Sequence, residues 1–410
     1  MRPDQQSLAG RKLAVLTVLL GGFTAFGPLS MDLYLPAFPE LTTDLGATQA
    51  AVQLTLTADV LGLVVGQLIL GPISDARGRR TLLIASTLVC AVASVLCAIA
   101  PSAGLLALWR FLQGASGGGG IVLARAIAAD LTTGVAAARL FSLFMTVSSV
   151  APIAAPVLGG VLLAATGSWR PMFWLLAVIS LVLAVATWRM IPETLPVEKR
   201  HTGGLRQTGR AFATLARDRA FVGYALTVAF AYASLFGYIS GSSFALQDIY
   251  GLTATQFSLV FAANAAGMIV LGLVNARLVR RYPVRGLLVV GLVGSTVAAV
   301  VLLGAVLAGL GLVAVLLPLF VVVATRGLVS SNATVLGVQR ASVAGSASAV
   351  LGALMFAGGI AVTPLMALGG EGTALPMVAV VAGGAVVALL ATALLTRRAD
   401  PSTLLGDTRP

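Results

Sequence analysis

Charged residues are scarce in this sequence. They make up 10% of its 410 residues, whereas hydrophobic residues make up 58% and the mean hydropathy is +1.01. A soluble globular protein carries roughly 25% charged residues. A chain with so little charge cannot cover a water-facing surface, so most of its exterior must face a lipid bilayer.

Acidic residues are the scarcer charged type, because 14 of them stand against 26 Lys and Arg, for a formal net charge of +12. In a soluble protein this excess would indicate nucleic-acid binding. Here the basic residues lie between long apolar runs, where they act as topology signals beside an anionic leaflet. We therefore expect no nucleic-acid partner.

Cysteine and histidine are nearly absent. Cys90 and Cys97 lie seven residues apart in one apolar run, a helical rise of about 10 Å that exceeds the roughly 7 Å limit for a disulfide. The single histidine, His201, lies in a polar segment, so neither a metal site nor a nucleophile–His–acid set is expected.

The run Gly117–Gly120 sits in an apolar span and no G-x-x-x-x-G-K-[ST] motif occurs, which favours close helix packing over phosphate binding. The sequence predicts neither an enzyme nor an ATP-driven pump.

Long apolar runs, in contrast, are abundant. A helix needs about 20 apolar residues to cross the hydrocarbon layer. Twelve such helices are predicted, at 13–38, 49–71, 81–100, 104–128, 139–165, 170–191, 220–245, 254–277, 286–307, 309–330, 342–367 and 374–396. The hydrophilic segment 192–219 separates an N-terminal six-helix bundle (1–191) from a C-terminal one (220–410). The predicted fold class is an all-α membrane protein.

Basic residues define the orientation, because loops rich in Lys and Arg stay cytoplasmic. The N-terminus, the 192–219 segment and the following arginines fall on one side: Arg77, Arg79, Arg80, Arg139, Arg277, Arg280, Arg281, Arg285, Arg340, Arg397 and Arg398. The opposite loops hold only Arg170 among basic residues. Both termini are predicted to be cytoplasmic. The use of Arg over Lys is typical of a high-GC bacterium, which places the chain in a bacterial plasma membrane.

A repeated segment relates the two halves. GPISDARGRR (Gly71–Arg80) follows the second span, and GLVNARLVRR (Gly272–Arg281) follows the eighth. Their matching places indicate parallel repeats related by an axis along the membrane normal, a layout found in transporters.

Three motifs resemble those of the major facilitator superfamily. The first repeat is similar to its loop 2–3 signature, with Gly71, Asp75, Gly78, Arg79 and Arg80 in place. RFLQG (Arg110–Gly114) resembles the drug-antiporter motif of helix 4. APIAAPVLGG (Ala151–Gly160) resembles the antiporter motif of helix 5. It keeps Pro156, Gly159 and Gly160 but has Ala151 and Ala155 where the motif has glycine.

Longer segments resemble one subfamily, the bicyclomycin and chloramphenicol resistance drug:proton antiporters (Bcr/CflA). These are Met31–Leu41, Ala124–Asp130, Leu235–Phe244 and Ala344–Leu354. The resemblance implies a major facilitator fold and proton-driven export of chloramphenicol or a similar small neutral drug. It also implies that the protein works as a monomer with no cofactor, using the proton gradient as its energy source.

Ionisable groups inside hydrocarbon are costly and usually functional. Three lie at similar depths below the outer helix ends, at 1.5 Å per residue: Asp32 at about 12 Å, Asp59 at about 15 Å and Arg110 at about 10 Å. Burial disfavours a charged carboxyl group and a nearby arginine favours it, so an acid between these effects can bind and release a proton. We expect Asp32 to be the proton-coupling residue, tuned by Arg110 and Asp59. Arg125 and Arg326 are further intramembrane candidates.

Each assignment has an alternative. Asp32 would otherwise be a fixed partner of Arg110 that never titrates. Asp59 would only form hydrogen bonds within the bundle, and Arg110 would belong to a structural ion pair.

Conformational gating is predicted at two places. By the resemblance, the loop of Gly71, Asp75, Gly78, Arg79 and Arg80 acts as a latch that favours one access state; the alternative is a solvated basic turn. Arg125 and Asp130 are expected to form a structural pair nearby. In the fifth span, Pro152, Pro156, Gly159 and Gly160 are expected to bend the helix, as part of the mechanism or as a passive kink.

A drug pocket is predicted near the midplane, where transporter substrates bind in largely apolar sites with few polar groups. The candidates are Tyr34, Met145, Tyr232, Phe236, Tyr238, Asn264, Asn332, Met355 and Phe356. The alternative for each is ordinary helix packing.

Two rival functions remain open. On the same fold, the chain would export an endogenous metabolite or a self-made antibiotic, or act as a symporter. In a different class, it would be a non-transporting membrane sensor or assembly protein, which the paired halves and the intramembrane acids disfavour.

Overall fold

The computed structural model describes residues 3–132, 134–196, 200, 215, 217–340, 344–370 and 372–396. Regular structure in these ranges is helical throughout. The α-helices, in chain order, are α1 Pro3–Asp32, α2 Phe38–Asp44, α3 Gln49–Arg77, α4 Arg80–Ala98, α5 Ala103–Leu131, α6 Gly134–Thr166, α7 Arg170–Met190, α8 Arg219–Phe244, α9 Ala254–Leu278, α10 Val284–Leu307, α11 Leu312–Ala324, α12 Arg326–Val338, α13 Ala344–Ile360, α14 Val362–Ala367 and α15 Leu375–Leu395.

The predicted spans correspond to these helices. Eleven described helical stretches are long and apolar enough to cross a membrane. The remaining predicted span is the fourth, 104–128, which corresponds to α5, and the 29 residues of α5 include Arg110, Arg125 and Asp130. The prediction of an all-α membrane protein with twelve spans is confirmed.

The first span is interrupted at Asp32, the predicted proton-coupling residue. It runs over Leu16–Asp44, but α1 ends at Asp32, and the 3-10 turn Leu35–Ala37 leads into α2. Pro36 lies in this turn and cannot donate a backbone hydrogen bond, so the α-helix does not continue through it. Asp32 is therefore the last residue of an interrupted helix.

Two later spans are also interrupted. The tenth span was predicted at 309–330, but it extends over Leu312–Val338, with α12 starting at Arg326 after a break at Thr325. The eleventh span breaks at Ala361, three residues before Pro364, because a proline removes a hydrogen bond of the preceding turn.

Polar side chains begin several of the helices. Thr48 accepts a hydrogen bond from the Ala51 backbone N–H (3.2 Å) at the start of α3. Asp218 accepts one from the Ala220 backbone N–H (2.8 Å) at the start of α8. Such caps pair donors that the first helical turn leaves free.

The chain divides into two compact units. Unit 1 comprises the described residues of Met1–Gly203 with Thr253–Ala262, and unit 2 those of Gly204–Leu252 with Ala263–Pro410. Unit 1 has a core of buried residues from the first, third, fourth, fifth and sixth spans, including Phe23, Leu83, Leu123, Phe144 and Leu183. Unit 2 has a core that includes Tyr224, Leu288, Leu292, Val329, Ala333, Leu351 and Ala388.

Glycines bring α3 and α5 into backbone contact. A Cβ at Gly114 would collide with the Asp59 carbonyl oxygen, and a Cβ at Gly118 with that of Leu63. Gly66 is crowded in the same way by Ala115. The glycine run of the fourth span therefore serves close helix packing, as predicted, and it sets Asp59 beside α5.

Several predictions fall on residues outside the described ranges. These are His201, Arg397, Arg398 and most of the 192–219 segment. Cys90 and Cys97 are both free and buried, in agreement with the expectation of no disulfide.

Candidate functional site

A buried ion pair joins α3 and α5. Nη2 of Arg110 lies 3.0 Å from Oδ2 of Asp59, and the side chains are 0% and 1% exposed. Arg110 and Gly114 are four residues apart on one face of α5, so the glycine contact with Asp59 brings the guanidinium to the same carboxylate.

Ser30 of α1 forms hydrogen bonds with both members of this ion pair. Arg110 donates from Nη1 to the Ser30 hydroxyl (2.8 Å) and from Nη2 to the Ser30 carbonyl oxygen (3.1 Å). The Ser30 hydroxyl in turn donates to Oδ1 of Asp59 at 3.4 Å. Charge-assisted hydrogen bonds of this kind strengthen a buried pair by satisfying further polar groups of it, although Nε of Arg110 stays buried without a hydrogen-bond partner. Three helices are thereby connected at one point.

Two further polar residues extend the connection. Nη1 of Arg110 also donates to Oε1 of Gln113, and Nε2 of Gln113 donates to the Ser94 hydroxyl (2.6 Å) on α4. We call the set Ser30, Asp59, Ser94, Arg110 and Gln113 the Arg110 network.

Aromatic rings cover the guanidinium of Arg110. Its Cζ lies 4.5 Å from the ring centroid of Tyr34 and 5.6 Å from that of Phe173, which is within cation–π range. The Tyr34 hydroxyl shares a 3.1 Å hydrogen bond with the Thr55 hydroxyl. Tyr34, a predicted drug-pocket residue, thus packs against the Arg110 network in this state.

Asp32 is buried beside this network but is not part of it. It is 5% exposed, and the described residues give its carboxyl group no hydrogen bond and no ion pair. Asp59 is the charged group that acts on it electrostatically. We expected Asp32, Asp59 and Arg110 to lie together. In the structure Arg110 pairs with Asp59, and Asp32 is not bonded to either of them.

Helix α6 packs against the break that follows Asp32. A Cβ at Gly159 would collide with the Leu33 carbonyl oxygen, and one at Gly160 with Ser258 of the same unit. Pro152 and Pro156 lie inside α6, which is continuous over Gly134–Thr166. The predicted antiporter motif of the fifth span thus borders the residue next to Asp32.

Five of the other drug-pocket candidates form two separate groups in unit 2. The Tyr232 ring contacts those of Phe236 and Phe356, with centroids 6.2 and 5.6 Å apart. Asn264 donates to the Tyr238 hydroxyl at 3.0 Å.

The remaining candidates lie in different surroundings. Asn332 exchanges hydrogen bonds with Asn275 (2.8 and 3.1 Å). Met355 packs on the core of unit 2, whereas Met145 of unit 1 is 61% exposed. The pocket stays a prediction.

Arg79 is the centre of a second charged cluster, at the junction of α3 and α4. Its Nη1 lies 2.6 Å from Oδ1 of Asp75, and its Nε lies 3.1 Å from Oδ2 of Asp130. Nη1 also donates to the Ser74 hydroxyl (2.7 Å). The arginine therefore ties the α3–α4 junction to the end of α5.

Glu193 caps α4 from a distant part of the chain. Its Oε1 accepts from the Arg79 backbone N–H (2.9 Å) and its Oε2 from that of Arg80 (3.2 Å). Arg80 donates from Nη2 to the Trp188 carbonyl oxygen (2.6 Å), which links α4 to α7. Gly78 has a φ of +104°, and a Cβ there would lie 2.7 Å from Oε2 of Glu193. Asp75, Arg79, Asp130 and Glu193 are called the Arg79 cluster below.

The expected pair of Arg125 and Asp130 is wrong. Asp130 accepts from Arg79 and from the Thr194 hydroxyl (3.0 Å) instead. Residues five apart in an α-helix point about 140° away from each other, so the two side chains lie on different faces of α5.

Comparison with known proteins identifies the fold family. The profile of the Major Facilitator Superfamily matches residues 18–364. The chain belongs to the major facilitator superfamily. It is 38% identical over 390 residues to the uncharacterized MFS-type transporter YdgK of Bacillus subtilis, covering 95% of this chain and 97% of that protein.

Relatives within this superfamily include proteins named for drug resistance. A bicyclomycin resistance protein homolog of Haemophilus influenzae is 29% identical, with 94% of this chain and 96% of that protein covered. A chloramphenicol resistance protein of Pseudomonas aeruginosa is 29% identical, with 82% and 80% covered. The resemblance to this group of transporters is confirmed.

Solved structures agree on the fold of this superfamily. A bacterial homolog of the lysosomal transporter Spinster has a TM-score of 0.72 at 16% identity, with 96% of this chain and 98% of that chain covered. A D-xylose-proton symporter has a TM-score of 0.71 at 15% identity, with 93% and 97% covered. Identities this low establish the fold alone.

Some residues of this superfamily member that matter structurally were not predicted. Ser30 precedes Asp32 by two positions, and its small hydroxyl carries no sequence signal of an ion-pair bridge. Glu193 does carry a signal, because it is an acid just after the sixth span on the same side as the basic Arg79–Arg80 turn. Asn275 stands in the second repeat where Ser74 stands in the first.

Replacing Glu193 by Gln should loosen the α3–α4 junction. Burial raises the pKa of the Glu193 carboxyl, but hydrogen bonds from backbone N–H groups of Arg79, Leu195, Arg80 and Thr194 outweigh it, so the pKa is lowered overall. A lowered pKa means that the carboxylate stabilises the fold above its ordinary pKa and stops doing so as the pH falls through the lowered value. Glu193→Gln should lose this pH-dependent contribution to the stability of the junction.

Trypsin cleavage after Arg77, Arg79 and Arg80 measures this loosening. At neutral pH we expect Glu193→Gln to be cut about two- to five-fold faster than the wild type, since exposed charge interactions are weak. Acidification below the ordinary pKa of glutamate should loosen the wild-type junction more than that of the variant, as measured by hydrogen exchange at the Arg79 and Arg80 amides. Asp44→Asn removes an acid from a separate ion pair with Arg170, and it should leave cleavage unchanged. Equal rates in Glu193→Gln and wild type would contradict the cap.

Proposed function

We propose that this protein is a proton-coupled efflux antiporter that exports chloramphenicol or a similar small amphipathic drug by alternating access. The fold and the drug-resistance relatives support the transport part of this proposal. The proton part is carried by one observation. Among the described residues, the buried carboxyl group of Asp32 has no hydrogen bond and no ion pair, and it lies beside the Arg110–Asp59 ion pair.

The two carboxyl groups are suited to different tasks. Asp59 has a cation and a hydroxyl donor, so its charge is compensated in place. The charge of Asp32 has no such compensation among the described residues. Intramembrane acids of this kind serve as proton relays in pumps and transporters. Asp32 would take up a proton from one side and release it to the other as its surroundings change, with the Arg110 network setting the local field.

The Arg79 cluster supplies the proposed latch. It fastens the α3–α4 junction, α5 and the segment after α7 into one charged cluster. Ion pairs of this sort hold one access state until binding energy from the substrate or the proton shifts the equilibrium. Gly71, Asp75, Gly78, Arg79 and Arg80 are proposed to gate the conformational change and not to bind drug.

The cellular setting follows from the same proposal. The protein would lie in the bacterial plasma membrane with both termini cytoplasmic, because the basic loops share one side. It would act as a monomer and use the proton gradient without any cofactor. It would not be an enzyme, and the relatives and neighbours named above are transporters.

Drug susceptibility in an efflux-deficient bacterial host tests the function. Cells that express the protein should tolerate at least about four-fold more chloramphenicol or bicyclomycin than cells with an empty vector. A proton uncoupler should raise drug accumulation to the vector level, because the gradient supplies the energy. Unchanged tolerance across a panel of small amphipathic drugs, with normal membrane expression, would contradict drug efflux and favour export of an endogenous metabolite.

A further inference from the structure

A buried arginine in unit 2 has no role in the mechanism above. Arg326 begins α12, and only 2% of it is exposed. It lies near the middle of the span Leu312–Val338, so its charge is about 20 Å from either end of the helix. Transporter substrates bind at this depth.

The described part of the chain offers Arg326 no acid. Its Nε and Nη2 are buried and have no hydrogen-bond partner. Between residues 219 and 396 the only acidic residues are Asp248 and Glu371. Asp248 is exposed at the end of its span, and Glu371 falls between the last two spans. Arg110, in contrast, is paired with Asp59 at 3.0 Å.

A buried serine lies close by on the neighbouring helix. Gly291 of α10 lies against Val329 of α12, and Gly294 lies against Thr325, so the two helices run antiparallel here. Ser295 directly follows Gly294 in the sequence, and Arg326 directly follows Thr325. The Ser295 hydroxyl is also buried and without a partner.

Each of these two residues lies one helical turn from a residue of the apolar core of unit 2. Leu292 and Val329 belong to the core of unit 2. Ser295 follows Leu292 by three residues and Arg326 precedes Val329 by three, which on antiparallel helices is one turn in the same direction.

The free atoms of Arg326 match an anionic ligand. Nε and Nη2 lie on one edge of the guanidinium group and present two parallel N–H donors, the geometry that carboxylate oxygens accept. A buried charge left without a counter-charge is strongly unfavourable. We propose that Arg326 binds the anionic group of the transported compound, and that the substrates therefore include small amphipathic acids. This inference rests on the proposed transport function and specifies its substrate class.

Binding of a matched pair of probes tests the site. Salicylate carries a carboxylate, and salicylamide has the same ring and phenol without the charge. With purified full-length protein in nanodiscs and a buffer that contains no carboxylate, the wild type should bind salicylate at least about ten-fold more tightly than salicylamide, as one charge-assisted interaction allows. Arg326→Gln should remove this preference, and Arg326→Lys should keep a part of it, because lysine retains the charge but not the paired donors.

A matched control separates local from general effects. Arg340 lies just beyond the end of the same helix, and Arg340→Gln should keep the wild-type preference for salicylate. Fluorescence-detected size exclusion checks that each variant is folded. Should Arg326→Gln not fold, the wild-type preference and the Arg326→Lys variant still decide the question.

Three outcomes would overturn the proposal: no preference for salicylate in the wild type, equal loss of both probes in Arg326→Gln, or chloride binding at Arg326 without salicylate binding. Failure of the anion site is distinguishable from failure of the proposed function. A wild-type protein that exports chloramphenicol with protons but binds both probes alike lacks only the anion site. A wild-type protein that exports no drug refutes the transport proposal itself.

Discussion

Asp32→Asn should abolish drug-driven proton movement and leave the protein folded. Asparagine has the size of aspartate but cannot exchange a proton, so the coupling step is removed with little change in packing. Asp32 has no ion pair among the described residues, and its replacement leaves no buried cation uncompensated. We therefore expect a loss of at least about ten-fold in proton flux and a stability change below about 1 kcal/mol.

Proteoliposomes with an internal pH dye measure this loss. Addition of chloramphenicol on one side should move protons with the wild type and leave the dye signal near background with Asp32→Asn. Exchange of labelled for unlabelled drug across the membrane requires no net proton transfer and should persist in the variant. Asp44→Asn, which removes a half-exposed acid paired with Arg170, should behave as the wild type. Undiminished proton movement in Asp32→Asn, or loss of the drug exchange as well, would contradict the assignment.

The spans were predictable because a bilayer allows few alternatives. Every backbone group in hydrocarbon must be paired within the chain, so an apolar run of about 20 residues forms a helix. The same rule gives the depth of an intramembrane residue along its helix. Counting residues placed Asp59 and Arg110 within one turn of each other, and the structure joins them at 3.0 Å.

The choice of partner was not predictable from depth. Counting residues gives the height along a helix but not the face that a side chain occupies. Ser30 and Asp32 are two residues apart and point about 200° away from each other on α1. Since Ser30 contacts Arg110 and Asp59, Asp32 faces elsewhere. The contact of Gly114 with the Asp59 backbone then places the Arg110 guanidinium beside the Asp59 carboxylate.

Contacts between distant segments set the second limit of prediction. Glu193 reaches the backbone of Arg79 across more than a hundred residues of sequence. The expected pairing of Arg125 with Asp130 relied on nearness in sequence, whereas Arg79 comes to Asp130 from another helix. Charged residues at helix ends find partners through the packing of the bundle, which a single sequence does not specify.

Breaking the Arg110–Asp59 pair should have the largest effect on stability. Arg110→Gln leaves the Asp59 carboxylate buried without its cation, which costs about 3–5 kcal/mol. For a unit of about 200 residues this lowers the midpoint of thermal unfolding by about 10 °C. Asp59→Asn should cost a similar amount, because Arg110 stays charged and loses its buried counter-charge, although it keeps its hydrogen bonds to Ser30 and Gln113 and its contact with the Tyr34 ring.

The double variant Asp59→Asn/Arg110→Gln shows whether the pair acts as a unit. It removes both charges together, so it should be more stable than the sum of the single changes allows, with a coupling of at least about 1 kcal/mol. Asp44 and Arg170 also form an ion pair at 3.0 Å, but their side chains are 44% and 36% exposed. The same double-mutant cycle on this pair should give a coupling energy well below about 1 kcal/mol. Additive effects at Asp59 and Arg110 would show that the pair is not coupled.

The pH profile of transport in Asp59→Asn then separates a tuning role from a structural one. If Asp59 sets the field at Asp32, removal of its charge must shift the pH optimum of proton-coupled efflux, because the two carboxyl groups interact electrostatically. Reduced stability with an unchanged profile would make Asp59 a structural partner of Arg110 alone. A shifted profile together with a coupled cycle would assign to one buried pair both the joining of three helices and the control of the proton site.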